Sequence, residues 1–308
     1  MSWSDLVVLS HLRWPFVWQR PHHLISRLST GQPTWYVEEP IVTGVSEPVL
    51  RMQDHGTITQ VWLEVPGPAR HVDFNDPAAA SYGAELRKLL GWLPRRAAWL
   101  YTPLAIDVAR TLEPSWLVYD VMDDLASFKD APPVLRTSQD EALAEADVVF
   151  AGGRSLHRGV LDRRPDAHLF PSGVELEHFL GARAKRRRKA RPVAGYVGVV
   201  DERVDLDLLA GLAEKLDEQG WDVEVVGPVV KIDPASLPEA PNLHYLGSRE
   251  YRELPEVLAG FDVALMPFAL NEATRSISPT KTLEYLAAGL PVVSTRVPDV
   301  VADFPGIV

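Results

Sequence analysis

Residues 276–295 read SISPTKTLEYLAAGLPVVST, and the fold turns on how this stretch divides. Ser278 fits a helix N-cap, Pro279 the first helical position, and Gly289 a left-handed stop. LPVVST then reads as a buried strand. A helix of about ten residues is marginal alone and depends on packing. Its N-terminus carries unsatisfied N–H groups and partial positive charge, a natural seat for an anion. Ser276, Ser278 and Thr280 add hydroxyls, and Lys281 adds a full charge that opposes the helix dipole. Glu284 lies one turn after Thr280 on the same face. A carboxylate there could accept bonds from vicinal hydroxyls such as those of a ribose. Spacing alone leaves a second reading open, a helix with a solvated Glu and Lys.

Outward from this stretch, apolar β-branched runs alternate with helical patterns. Strands are expected over 6–10, 34–38, 58–65, 97–102, 116–122 and 146–152. Helices are expected over 20–30, 76–93 and 133–146. RAKRRRKAR at 183–191 then places seven basic residues in nine. After it the pattern restarts, with strands over 193–200, 221–228, 242–247 and 262–268 and helices over 206–220 and 251–261. Such alternation predicts an α/β protein built on doubly wound, mostly parallel sheets. Ligands of such sheets bind outside the carboxyl ends of the strands.

The 308 residues suffice for two domains. A net charge of −11 argues against nucleic acid as the main partner, since phosphate backbones need a basic face. Cysteine is absent, which excludes disulfides and thiolate metal sites. The only apolar run near the N-terminus, Leu6–Leu9, is too short for a signal peptide, and no run is long enough to span a bilayer. A soluble, cytoplasmic protein is expected. The basic run suggests a solvated interdomain linker, or peripheral contact with anionic membrane at the inner surface.

SPTKTLEYLAAGLPVVST resembles the signature helix of the group 1 (family four) glycosyltransferases, which have the GT-B fold. ADVVFAGGRSLHRGV, GYVGVVDERVDLDLL and NLHYLGSREYRELPEVLAGFDVALMPF are similar to further segments of that family. SHLRWPFVWQRPHHLISRLS is similar to a subset of its members. The resemblance implies two Rossmann-like domains facing a cleft. The acceptor side would be 1–180, a basic linker 181–192, and a shortened nucleotide-sugar-binding domain 193–308. It implies transfer of a sugar from a UDP- or GDP-linked donor to a hydroxyl of a carbohydrate, lipid-linked or small-molecule acceptor. Retention of configuration without cofactor or metal is part of that expectation. A nucleotide-sugar epimerase of the same fold, or a non-catalytic nucleotide- or carbohydrate-binding module, is the alternative.

On the donor side the resemblance points to Gly198, Arg203, Arg249, Glu272, Arg275, Ser276, Ser278, Thr280, Lys281 and Glu284. In the family a second Glu precedes the ribose Glu by eight positions, where this chain has Ser276; Glu272 lies twelve before. Val199 replaces a family Arg, and Arg203 falls near a family Lys, so Arg275 and Lys281 are candidates for the missing charge. Asp205 and Asp207 begin a helix, where acids are ordinary caps, and no metal site is expected.

On the acceptor side, 11–23 follows the first strand. Arg13, Trp14 and Arg20 are candidates to hold an acceptor, and Arg13 and His22 to act in proton transfer. Asp123 and Asp124 end another strand and could orient or deprotonate a hydroxyl. The competing readings are a core role for the aromatics, a solvated helix for His22 and His23, and a helix cap for the acids. His178 is expected to be structural.

Overall fold

The computed structural model describes residues 3–187, 189–278 and 280–308. It divides into two compact units. The first comprises residues 1–126, 130–152 and 156–170; the second comprises 127–129, 153–155 and 171–308.

The strands in chain order are β1 (Leu6–Ser10), β2 (Thr34–Glu38), β3 (Ile41–Thr43), β4 (Val49–Asp54), β5 (Ile58–Pro66), β6 (Ala97–Leu100) and β7 (Trp116–Val121). They continue with β8 (Val148–Ala151), β9 (His168–Leu169), β10 (Val193–Val197), β11 (Asp222–Val226), β12 (Leu243–Tyr245), β13 (Val263–Met266) and β14 (Val292–Ser294). The first unit's sheet runs β3-β5-β2-β1-β6-β7-β8-β9, with β4 added to β5. The second unit's sheet runs β12-β11-β10-β13-β14.

β1, LVVLS, is buried at every position, as a central parallel strand with both faces covered requires. Tyr36, Ile25, Trp99 and Val118 fill one face of its sheet, and Tyr82, Leu86, Leu104 and Leu143 pack on the other. In the second unit β10, VAGYV, plays the same part, with Phe261, Tyr285, Leu209 and Leu258 around it. In each sheet the strand order reverses beside the central strand, at β1/β6 and at β10/β13. Crevices outside the carboxyl ends of strands at such points are where doubly wound sheets hold ligands.

Several expectations shift in detail. The helix expected over 76–93 becomes a turn Pro77–Ala79, capped by Asp76, followed by a helix Tyr82–Leu90. That expected over 251–261 becomes a turn Tyr251–Glu253 and a helix Leu254–Leu258 with Pro255 in its first turn. β3 and β4 were not anticipated; β4, the antiparallel strand on β5, is exposed along most of its length and shows no apolar face. A helix Leu176–Ala184 occupies the start of the segment read as linker. No described helix is long and apolar enough to cross a membrane.

Candidate functional site

In the second unit the stretch 276–295 folds as a short helix, Thr280–Ala287, between β13 and β14. Pro279, expected at the first helical position, lies outside the described residues. The helix is anchored by Tyr285, whose side chain is fully buried beneath it. The Tyr285 hydroxyl accepts from Val197 N–H at 2.9 Å and donates to Val197 carbonyl at 3.2 Å. Thr282 adds a contact to Met266 Sδ at 2.9 Å. The helix is thereby fixed to the carboxyl ends of β10 and β13. Its stop is as expected: Gly289 has φ +73°, and Leu290 N–H returns to Tyr285 carbonyl at 3.0 Å.

From the first turn of this helix Lys281 extends over Gly198, the residue that follows β10. A Cβ on Gly198 would stand 2.1 Å from Lys281 Cε and 2.9 Å from its Nζ. Glycine is required there for a second reason, a φ of +156°. The next crossing is equally close, since a Cβ on Gly227 would stand 1.9 Å from Gly198 carbonyl oxygen. Backbone and ammonium thus meet at the switch point of the sheet, the arrangement in which a bound anion is cradled by main chain and cation together.

Glu284 lies one turn further along the helix and is half-buried. Burial pushes its carboxyl up to about 7, against the pull of Lys281. A carboxylate so placed gains from any hydroxyl that hydrogen-bonds to its charged form. Ser276, Ser278 and Thr280 are half-buried around the turn that opens the helix.

The other donor-side candidates sit differently. Arg203 is held by Asp201 through Nε at 2.9 Å and Nη2 at 2.6 Å. Glu272 and Arg275 are exposed and face one another at 3.3 Å across one helical turn. Glu272 is therefore displaced from the turn at 276–281 into a surface pair. Arg249 is exposed just beyond β12, donating to Ser248 carbonyl at 2.9 Å. Asp205 caps the helix Leu206–Asp217 by accepting from Leu208 N–H at 2.9 Å. Among the described residues no group of three His, Asp or Glu side chains is placed to hold a metal ion.

In the first unit the segment after β1 is tied down by acids at the ends of neighbouring strands. Glu38, the last residue of β2, is almost fully buried. It accepts from Trp14 N–H at 2.5 Å, Gln60 Nε2 at 2.9 Å and Arg13 Nη1 at 3.0 Å. Arg20 opens the helix Arg20–Leu28 and reaches Asp120 on β7, Nε lying 3.1 Å and 3.0 Å from its two oxygens. Its Nη1 donates to Phe170 carbonyl at 2.7 Å.

His22 does not have the placement of an acid–base group. Its Nδ1 accepts from Gln19 N–H at 3.1 Å, so Nε2 is the donor to Arg13 carbonyl, also 3.1 Å away. The ring packs between Trp14 and Trp18, and burial pushes it down to about 4, which keeps it neutral. Trp14 is core, as its competing reading allowed. Asp123 and Asp124 follow β7, half-exposed.

Glu38, Asp120, Tyr285 and Asp201 were not singled out in the sequence. Glu38 and Asp120 had a visible signal, an acid at the carboxyl end of an otherwise apolar strand. Tyr285 had none, because its role depends on which strand the helix packs against. His178 is structural: it stacks on Tyr251 at 4.4 Å, and its Nε2 meets Tyr251 carbonyl at 2.9 Å.

Comparison with known proteins bears on both units. Residues 191–306 match the model of a family described as glycosyl transferases group 1. A putative teichuronic acid biosynthesis glycosyltransferase, TuaH of Bacillus subtilis, is 26% identical over 177 residues, 54% of this chain. The match spans 44% of the length of that relative. A UDP-forming α,α-trehalose-phosphate synthase from Burkholderia xenovorans superposes with TM-score 0.67 at 13% identity, over 99% of this chain and 87% of its own. HepE from Anabaena, in complex with UDP and glucose, gives TM-score 0.61 at 13% identity, over 96% and 82%. The fold shared with these structures is GT-B.

Proposed function

We propose that this chain transfers a sugar from a nucleotide diphosphate sugar to an acceptor hydroxyl, a reading supported by the match of residues 191–306 to the group 1 glycosyltransferases. The observation that carries the reading is Lys281 lying over Gly198 at the switch point, with Glu284 one turn behind. The diphosphate takes the start of the helix Thr280–Ala287, and Glu284 takes the ribose. As the bond from the anomeric carbon to the β-phosphate oxygen breaks, negative charge grows on that phosphate. Lys281 and the helix N–H groups oppose it with no reorganisation. A UDP-linked donor fits best with HepE, solved with UDP. The first unit holds the acceptor, carbohydrate, lipid-linked or small, near Arg13, Arg20, Asp123 and Asp124. Transfer is metal-independent and retaining in this reading.

One observation favours a second reading, a binding module without turnover: Ser276 stands where the family has an acid, and Glu272 is turned outward onto Arg275. Calorimetric titration with UDP, GDP and ADP tests the nucleotide site. At least one binds with Kd below about 1 mM, and Lys281→Ala weakens it about tenfold or more. Binding by none of the three overturns the reading. Turnover of the bound nucleotide's sugar with an acceptor panel separates enzyme from module, and an isomerised donor without acceptor marks an epimerase.

A further inference from the structure

Two arginines reach the carboxyl edge of the first sheet, and each meets its own buried acid. Arg13 pairs with Glu38 at 3.0 Å, and Arg20 with Asp120 at 3.0 Å. Both acids are essentially inaccessible, with side-chain exposures of 1% and 0%. Each pair is balanced. His22, in the same segment, is kept neutral by burial. Asp123 and Asp124 add negative charge after β7.

The same edge carries hydrogen-bonding groups with nothing to bond. Arg20 Nη2 and Thr102 Oγ1 are buried and make no hydrogen bond, while the Tyr101 hydroxyl beside them is directed at Asp120. Both unpaired groups can donate. A buried unpaired donor costs about 1–3 kcal/mol, and such groups in folded proteins answer to a ligand or to water. An oxygen acceptor is what they lack. A phosphate or carboxylate would supply one, but it would bring a net charge beside two acids already matched by their arginines, and desolvating that charge is expensive. A hydroxyl accepts from these donors, gives its own hydrogen to a carboxylate oxygen, and adds no charge.

Resting on the reading that the first unit holds the acceptor, we infer that the part of the acceptor seated here is an uncharged sugar bound through its hydroxyls. Glu38 and Asp120 then have a selective role: by balancing Arg13 and Arg20 they disfavour phosphorylated and uronic sugars. Glu38 is also a positioning residue, since it holds the 13–14 backbone and the Arg13 guanidinium together.

The test uses the full chain saturated with UDP. Methyl glucoside, methyl galactoside and methyl mannoside are compared by saturation-transfer NMR and calorimetry with the corresponding 6-phosphates and uronic acids. The neutral member of at least one series binds about tenfold or more tightly than its anionic counterparts. Glu38→Gln keeps an oxygen for Trp14 N–H and Gln60 while leaving Arg13 unbalanced, and it shifts the neutral-to-phosphate ratio about fivefold or more toward the phosphate. Equal or tighter binding of the anionic sugars to the unmodified protein, or no binding of either class, overturns the inference. An unchanged ratio in the folded Glu38→Gln variant removes Glu38 from the selection, and with it the inference. UDP affinity, read in the same titrations, reports separately on the nucleotide site: UDP binding with the wrong sugar order defeats this inference alone, whereas failure of UDP defeats the proposed function as well.

Discussion

Glu284 is held where its charge is a liability to the fold. Its carboxyl is raised to about 7 by burial, whereas in the unfolded chain it titrates near about 4.3. Folding therefore takes up a proton between those values. The stability contributed by Glu284 is full below about pH 4.3 and is lost as pH rises through about 7. Glu284→Gln, an uncharged isostere, removes that dependence. At pH 8 the variant is more stable than the parent by about 1–3 kcal/mol, and at pH 4.5 the two coincide. Thermal unfolding at the two pH values checks this; a variant less stable than the parent at pH 8 contradicts it. A residue that costs stability is what a binding site, rather than a core, is expected to carry. The sequence made Glu284 legible as a candidate through its spacing from Thr280. The burial that raises its pKa was not legible, because it depends on the packing of Tyr285 and β10 around it. His22 is the opposite case: an exposed helical histidine by pattern, it is buried because the aromatics at 14 and 18 fold back over it.

At the scale of elements, the basic run at 183–191 works as a strap along the second unit. Arg186 donates to Gly289 carbonyl at 3.1 Å, just past the helix Thr280–Ala287. Arg187 N–H donates to Ala259 carbonyl at 3.1 Å, just past the helix Leu254–Leu258, and its side chain meets Glu256 at 3.2 Å. Arg191 meets Asp217 at 2.7 Å and Trp221 carbonyl at 2.9 Å beyond the helix Leu206–Asp217. Cations at three helix C-termini complement the macrodipoles. Arg191→Ala, which removes contacts to a helix terminus and to Asp222, costs about 1 kcal/mol, less in high salt. Denaturant unfolding at low and high salt measures it; no loss at low salt contradicts the strap. Composition identified the run but not this role, since charge spacing says nothing of which helix ends lie beside it. β4 was missed for a related reason: an exposed edge strand carries no apolar alternation to read.

Over the whole molecule, the alternation of strand and helix made the doubly wound class legible, and the apolar runs at 6–10 and 193–197 marked both central strands. The switch points followed only from strand order, which no local pattern contains. Cores that belong to one sheet or the other and are not shared between them predict that nucleotide binding is felt unevenly. With UDP bound, slowed amide exchange concentrates at residues 196–204 and 278–289, where Gly198 and Lys281 meet. Hydrogen-exchange mass spectrometry checks it, and protection confined to the first unit's strand ends contradicts it. The central claim remains that the start of the helix Thr280–Ala287 holds a diphosphate while Glu284 holds the attached ribose. It is tested most directly by UDP affinity of the parent and of Glu284→Gln between pH 5.5 and 8. The account predicts that the parent's advantage grows as Glu284 ionises through about 7, reaching about tenfold by pH 8. Equal affinities of parent and variant at pH 8 would contradict it.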